Sequence, residues 1–168
     1  MEEPGIAMKY SRVAWLALSV TIAGTLLAMA QNAPATAPQA YRPGLGDLMT
    51  MTVQPRHIKL GLAGQEKNWP YAKYELHELE ESFGRVLRTW PKFKGLPLDG
   101  MMESIAKGPL AEVSQAIVEK DSSKFASAFA QLTEGCNACH QAANVGMVVI
   151  KVPDASSFPD QDFRPIKP

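Results

Sequence analysis

The sequence has no excess charge of either sign. Its 168 residues contain 17 lysines and arginines against 17 aspartates and glutamates, so the formal net charge is zero. Nucleic-acid binding calls for a basic stripe on the protein, and attraction to an anionic membrane calls for the same sign of charge. The composition therefore gives no support to nucleic acid or to an anionic lipid surface as a partner.

The sequence is also poor in cysteine and has no internal repeat. Cys136 and Cys139 are its two cysteines, which excludes a fold stapled by several disulfides. A chain of this length suits one domain with a core of modest size. Any chemistry that the cysteines support must therefore come from this single pair.

The first 30 residues have the pattern of an export signal. A basic start precedes an almost wholly apolar stretch at 13–27, and Ala28-Met29-Ala30 matches a small-x-small cleavage site. We predict a signal peptide at 1–30, a linker at 31–44, and a folded part in the periplasm. An uncleaved membrane anchor is the alternative, because the apolar stretch is near the shortest length that spans a bilayer.

From residue 45 onward the apolar residues recur at helical steps of three and four. Pro55 should kink or divide the first helix, because proline has no amide proton, and Gly108-Pro109 should break the third. We predict an all-α fold, an up-down four-helix bundle over 45–146 that is followed by an irregular C-terminal arm at 147–168. The four helical segments are expected at about 45–64, 69–90, 101–120 and 122–143.

The two cysteines belong to the motif Cys-Asn-Ala-Cys-His at 136–140, which is the attachment pattern of c-type haem. In this pattern each thiol bonds to one vinyl group of the haem, and the histidine ligates the iron. On a helix the three side chains share one face, because they are three and four residues apart. We predict one covalent haem c, bound through Cys136 and Cys139, with His140 as the proximal iron ligand.

Three other roles for the cysteine pair are less well supported. A disulfide has narrow geometric limits, and two cysteines three apart on a regular helix meet them poorly. A thioredoxin-type pair belongs after a strand and at the start of a helix, whereas this pair lies late in a helix. A structural zinc site needs four ligands, and no second ligand pair accompanies the motif.

The export signal, the four helices and the late haem motif together resemble the class II c-type cytochromes, the cytochrome c-prime group. The run from Phe125 to His140 is similar to the fourth helix of that group. Class I cytochromes have the motif near the N-terminus instead. The resemblance covers about 45–143, and the tail after Val145 departs from it. It implies a four-helix-bundle monohaem cytochrome that is not an enzyme.

The resemblance also implies that the first helix covers the distal face of the haem. In low-spin members a methionine ligates the iron there, and in gas-binding members an apolar residue takes that position. Met49 falls closest to this position when counted back from 61–64, and Met51 and His57 are alternatives. A plain structural role stays open for each of them. Arg56 could contact a haem propionate, although we prefer an ordinary surface arginine.

Three functions agree with these expectations. The first is a one-electron carrier between periplasmic or membrane redox proteins, which the methionines of the first helix favour. The second is a high-spin binder of nitric oxide or carbon monoxide. The third is an accessory haem subunit that docks onto a larger redox complex through the arm at 147–168. The redox partner, the reduction potential and the formation of a homodimer stay open at this stage.

Overall fold

The computed structural model describes residues 40–166. The predicted signal peptide and residues 31–39 of the predicted linker lie outside this range, as do the last two residues of the predicted arm. A compact unit begins at Arg42. The guanidinium of Arg42 lies 3.7 Å from the centre of the Trp90 ring. The indole N–H of Trp90 donates a hydrogen bond of 2.9 Å to the carbonyl of Pro43.

The described residues are mostly helical, so the predicted all-α class is confirmed. None of the helices within residues 40–166 is both long and apolar enough to cross a lipid bilayer. The helices are α1 (Leu45–Leu48), α2 (Gln54–Gln65), α3 (Trp69–Thr89), α4 (Leu98–Ile105), α5 (Lys107–Glu119) and α6 (Ser122–Ala142).

Pro55 does not end the first helical segment. A π-helical turn at Met49–Val53 joins α1 to α2, and its backbone dihedral angles stay helical on both sides. The amide of Gln54 donates to the carbonyl of Met49, five residues earlier. Pro55 follows in the first turn of α2, where a missing amide proton is tolerated. The helix therefore continues through Pro55 and changes only its type. Single π turns of this kind often occur at functional sites.

A short hairpin forms between the second and third predicted helical segments. Strands β1 (Lys92–Phe93) and β2 (Leu96–Pro97) pair antiparallel, with Phe93 opposite Leu96. The two turn residues, Lys94 and Gly95, have φ angles of 48° and 87°, as a two-residue hairpin turn with positive φ requires. The hairpin leads directly into α4.

Helices α2 and α6 come unusually close to each other at one end. A Cβ atom on Gly61 would lie 2.7 Å from Cζ of Phe129, and a Cβ atom on Gly64 would overlap the ring of Phe125. Both phenylalanines are buried. Only glycine permits this approach. The two glycines therefore allow α2 and α6 to pack closely.

The chain after α6 turns back and lies along the helices. Residues 147–166 contain neither helix nor strand. The side-chain amide of Gln65 donates to the carbonyl of Pro153 at 2.8 Å, and that of Asn68 donates to the carbonyl of Phe163 at 3.1 Å. The Phe163 ring is buried. The arm is thus fastened to α2 and to the start of α3.

Candidate functional site

A cavity of about 280 Å³ lies beside the haem motif, and its walls are almost entirely apolar. All three side chains of the motif that carry chemistry, Cys136, Cys139 and His140, line it. The other walls come from the first helical segment, α3, the hairpin, α4, α6 and the arm. Among them are Met49, Val53, His57, Phe83, Phe93, Leu98, Met101, Met102, Leu132, Val148 and Ile150.

The packing of α2 against α6 explains why the cavity forms beside the motif. The two helices touch through the glycine contacts described above, and one turn further along His57 lies 2.9 Å from Thr133. Each step toward the start of α2 thus matches a step toward the end of α6, so the helices run antiparallel. The next step places the π-helical turn at Met49–Val53 opposite the motif at 136–140, where the cavity lies.

Burial keeps both cysteine thiols in the neutral form. It raises the pKa of Cys136 to about 11, with a further contribution from the neighbouring Cys139, and burial also raises the pKa of Cys139. The thiolate is the form that exchanges disulfides and binds metals. The pair is therefore poorly tuned for thiol–disulfide chemistry at neutral pH.

The ring of His140 is held in one orientation by the backbone of the arm. Its Nδ1 lies 2.7 Å from the carbonyl oxygen of Val148. A carbonyl can only accept a hydrogen bond, so the proton of the neutral imidazole is on Nδ1 and the lone pair is on Nε2. This is the arrangement in which metal-ligating histidines are usually found.

His57 is buried and neutral in the wall of the cavity. Only 2 % of its surface is exposed, and its ring stacks on Phe129 with centroids 4.7 Å apart. The Thr133 hydroxyl donates to the carbonyl of Phe129 at 2.9 Å, so it accepts from Nε2–H of His57. Burial lowers the pKa of His57 to about 4. Its Nδ1 carries a lone pair and has no hydrogen-bond partner among the described residues.

The methionines of the first helical segment differ in their environment. Met49 lines the cavity, whereas the side chain of Met51 is 75 % exposed. Two more methionines, Met101 and Met102, reach the cavity from α4 and were missed by the sequence reasoning. Their position at the start of the third predicted helix gave no indication of which wall they would form.

Arg56 lies away from the cavity and makes ion pairs. Its guanidinium is 3.2 Å from the carboxylate of Glu75 and 3.3 Å from that of Glu78. Burial by itself lowers the pKa of Arg56, but the hydrogen bond and charge of Glu75, together with Glu78, raise it overall. These contacts give no support to the predicted propionate contact, and they agree with the preferred alternative of an ordinary surface arginine.

The residues around the cavity fit a covalently attached haem. Two neutral thiols and one imidazole with a free Nε2 lone pair line the same apolar space. Within residues 40–166 no three His, Cys, Asp or Glu side chains converge to hold a metal ion directly. Attachment of a macrocycle needs no such convergence, because each thiol bonds to a separate vinyl group.

No protein-family model, curated protein or solved structure matches this chain. A functional assignment therefore rests on the residues of the site and on their geometry.

Proposed function

We propose that this chain is an exported monohaem c-type cytochrome that carries single electrons between periplasmic or membrane redox proteins. Cys136 and Cys139 attach the haem, and Nε2 of His140 ligates its iron. The observation that carries the proposal is the common cavity, which these three side chains line together with Met49. An apolar cavity suits this role, because water around the haem would have to reorganise at each electron transfer.

The fold proposed with this function is the up-down four-helix bundle of the class II cytochromes. The first helical segment, α3, α5 and α6 would be its four members. Helix α2 packs against α3 and α6, and α5 packs against the same two helices. Each member therefore has two neighbours, which supports a bundle with a closed core.

The haem, when bound, supplies an iron that is reversibly oxidised and reduced by one electron. The chain's own residues set the conditions for this. Among the described residues, none of those that line the cavity is Asp, Glu, Lys or Arg, and His57 is neutral at pH 7 because burial lowers its pKa to about 4. Apart from the groups that would attach the haem and ligate its iron, the described wall therefore presents mainly apolar surface, which suits an electron carrier.

The test of the proposal is the covalent state of the secreted protein. The full chain is produced in a bacterium that matures c-type cytochromes. We expect a mature protein that begins at Gln31, with the mass of the chain plus one haem, and haem that stays attached after denaturation. Cys136→Ala and Cys139→Ala should each leave one attachment bond, and His140→Ala should lose the proximal ligand.

His77→Ala is the matched control, because His77 is exposed on α3 and away from the cavity. Its product should have the absorption spectrum of the wild type. A colourless secreted protein with the mass of the bare chain would refute the proposal.

The distal ligand separates the electron carrier from the gas-binding alternative. If Met49 ligates the iron, Met49→Ala should change a low-spin absorption spectrum to a high-spin one, while Met51→Ala should leave it unchanged because Met51 is exposed. A change on Met101→Ala or Met102→Ala alone would move the ligand to α4. A wild-type protein that is already high-spin and responds to carbon monoxide would favour the gas binder.

A further inference from the structure

The end of α6 directs the following chain back toward the haem motif. Asn144 has a φ angle of 57°, and its amide donates to the carbonyl of Gln141 at 3.1 Å. The amide of Val145 donates to the carbonyl of His140 at 2.9 Å. These two bonds form a Schellman motif, which reverses the chain after a helix. The arm therefore begins by passing beside the residues that precede it.

Asn137, which lies between the two cysteines, holds the arm with both polar atoms of its side chain. Its Nδ2 donates to the carbonyl of Ile150 at 3.0 Å, and its Oδ1 accepts from the amide of Ile150 at 2.8 Å. Two bonds to the same residue fix the orientation of the backbone there as well as its position. Nothing in the attachment chemistry requires asparagine at this position of the motif.

The same stretch of backbone provides the hydrogen-bond partner of His140. The carbonyl of Val148 lies 2.7 Å from Nδ1 of His140, and only Val149 separates Val148 from the residue that Asn137 holds. A shift of the arm at Ile150 would therefore move this carbonyl. Asn137 and the partner of His140 are linked through the short stretch of chain at 148–150, which lies outside any helix or strand.

We propose that Asn137 is a positioning residue that holds the arm so that the Val148 carbonyl sets the tautomer and the orientation of the His140 ring. This inference rests on the proposed function. A hydrogen bond from Nδ1–H makes Nε2 a stronger donor to a metal. We call the contacts of Asn137 with Ile150 and of Val148 with His140 the clamp. Stronger donation stabilises the oxidised iron, so the clamp lowers the reduction potential.

Gln65 offers a matched control for a merely structural effect. Its side chain also holds the arm, through the bond of 2.8 Å to the carbonyl of Pro153. Pro153 is only three residues beyond Ile150, yet Gln65 has no hydrogen bond to the motif. Gln65→Ala should therefore loosen the arm without removing the partner of His140.

The experiment measures the reduction potential of the full-length haem protein and the NMR resonance of the Nδ1–H proton of His140. Asn137→Ala should raise the potential and shift this resonance. Asn137→Ser, which adds no charge and keeps a hydroxyl group, should cause a smaller change in the same direction, and Gln65→Ala should cause none. The inference is wrong if Asn137→Ala and Gln65→Ala give the same potential and resonance. If Asn137→Ala does not mature, Asn137→Ser decides by the same comparison with Gln65→Ala.

A second measurement separates this inference from the proposed function. A wild-type protein that matures without haem refutes the function, and nitrogen NMR of that protein then tests the clamp directly. At a pH where the imidazoles are neutral, His140 should carry its proton on Nδ1, and Asn137→Ala should shift it toward Nε2. The exposed His77 is the internal reference. A His140 protonated on Nε2 in the wild type would overturn the clamp.

Discussion

At the scale of single residues, His57 shows how packing sets the charge of a side chain. Its ring lies between Phe129 and the cavity, and its Nε2–H is used by Thr133. A charged imidazolium at this position would lose its hydration, which is why burial lowers its pKa to about 4. The Nε2 nitrogen is therefore engaged, and Nδ1 is buried without a hydrogen-bond partner among the described residues.

We predict that His57 makes the protein less stable in mild acid. The unfolded chain takes up a proton on His57 near pH 6.5, whereas the folded chain does so only near pH 4. As the pH is lowered between these values, the contribution of His57 should reduce the free energy of unfolding by roughly 1.4 kcal/mol per pH unit. Above pH 6.5 the contribution is constant, and it levels off again below pH 4.

Denaturant unfolding of the wild type and of His57→Phe, at a series of pH values, measures this contribution. The difference between the two curves isolates His57 from the carboxylates, which titrate in both proteins. His77→Phe is the control and should keep the wild-type pH dependence. Parallel curves for the wild type and His57→Phe would show that His57 does not titrate between pH 4 and pH 6.5 as proposed.

Met49 and Met51 illustrate what residue spacing alone could not decide. Both lie on the first predicted helix, and two positions apart on a helix means ~200° of rotation, so at most one of them faces the core. The apolar pattern did not settle which one it is. The structure places Met49 in the cavity wall and Met51 in solvent, because the π-helical turn and the register against α6 orient this segment.

At the scale of elements, two of the helix starts were predictable because their causes are local. Asn68 accepts a hydrogen bond from the amide of Tyr71, and Asp121 accepts from the amides of Ser123 and Lys124. Such capping involves residues within one turn of each other. Both predicted starts, at 69 and at 122, are confirmed.

The breaks between elements were less predictable. The third helical region was expected to break at Gly108-Pro109, but it breaks at Ala106, and Pro109 lies in the first turn of α5, where proline is tolerated. The hairpin at 92–97 was missed, because strands of two residues are too short to show an alternating pattern.

We predict that Gly64→Ala destabilises the protein through the contact of α2 with α6. The added methyl group overlaps the ring of Phe125, and overpacking of this kind costs about 1–3 kcal/mol. Gly100→Ala is the matched control, since Gly100 is also helical but has no atom within 4 Å of the added position. That change should be neutral or stabilising by up to ~1 kcal/mol.

Thermal or denaturant unfolding compares the two alanine variants with the wild type. Equal stability of Gly64→Ala and Gly100→Ala would mean that α2 and α6 are not in close contact. It would also remove the basis for the antiparallel register that brings the π-helical turn opposite the motif.

At the scale of the whole molecule, the free energy associated with the cavity is comparable to the stability of a domain of this size. An enclosed apolar cavity in a core costs about 24 cal/mol per Å³, so for a partly open cavity of about 280 Å³ the upper limit is ~7 kcal/mol. Single domains are stable by only about 5–15 kcal/mol in total. The contents of the cavity should therefore decide much of the stability of this protein.

We predict that the double variant Cys136→Ala/Cys139→Ala loses stability well beyond the sum of two surface substitutions. Without the thiols no haem can be attached, and the apolar walls must collapse or remain unsupported. Circular dichroism during thermal unfolding should give a transition that is broader and at a lower temperature than that of the haem protein. The variant Cys136→Ala alone, which keeps one attachment bond, should fall in between.

The arm is the part of the molecule whose role depends most on the whole fold. Its sequence indicated an irregular segment and no more, since it contains no periodic pattern. Its contacts with Gln65, Asn68 and Asn137 join residues far apart or on different elements. The contact with Asn137 lies beside the Val148 carbonyl that accepts from His140, and it makes this stretch of the arm part of the candidate site.

The sequence by itself determined the helical class, the capped helix starts at 69 and 122, and the shared face of Cys136, Cys139 and His140. These depend on neighbours within a turn or two, so local spacing and capping suffice. The tertiary structure alone decided that Met49 and His57 face the same cavity, that Arg56 pairs with glutamates, and that Val148 orients His140. Those facts depend on the register between helices and on the path of the arm, which are set by packing between residues distant in the chain.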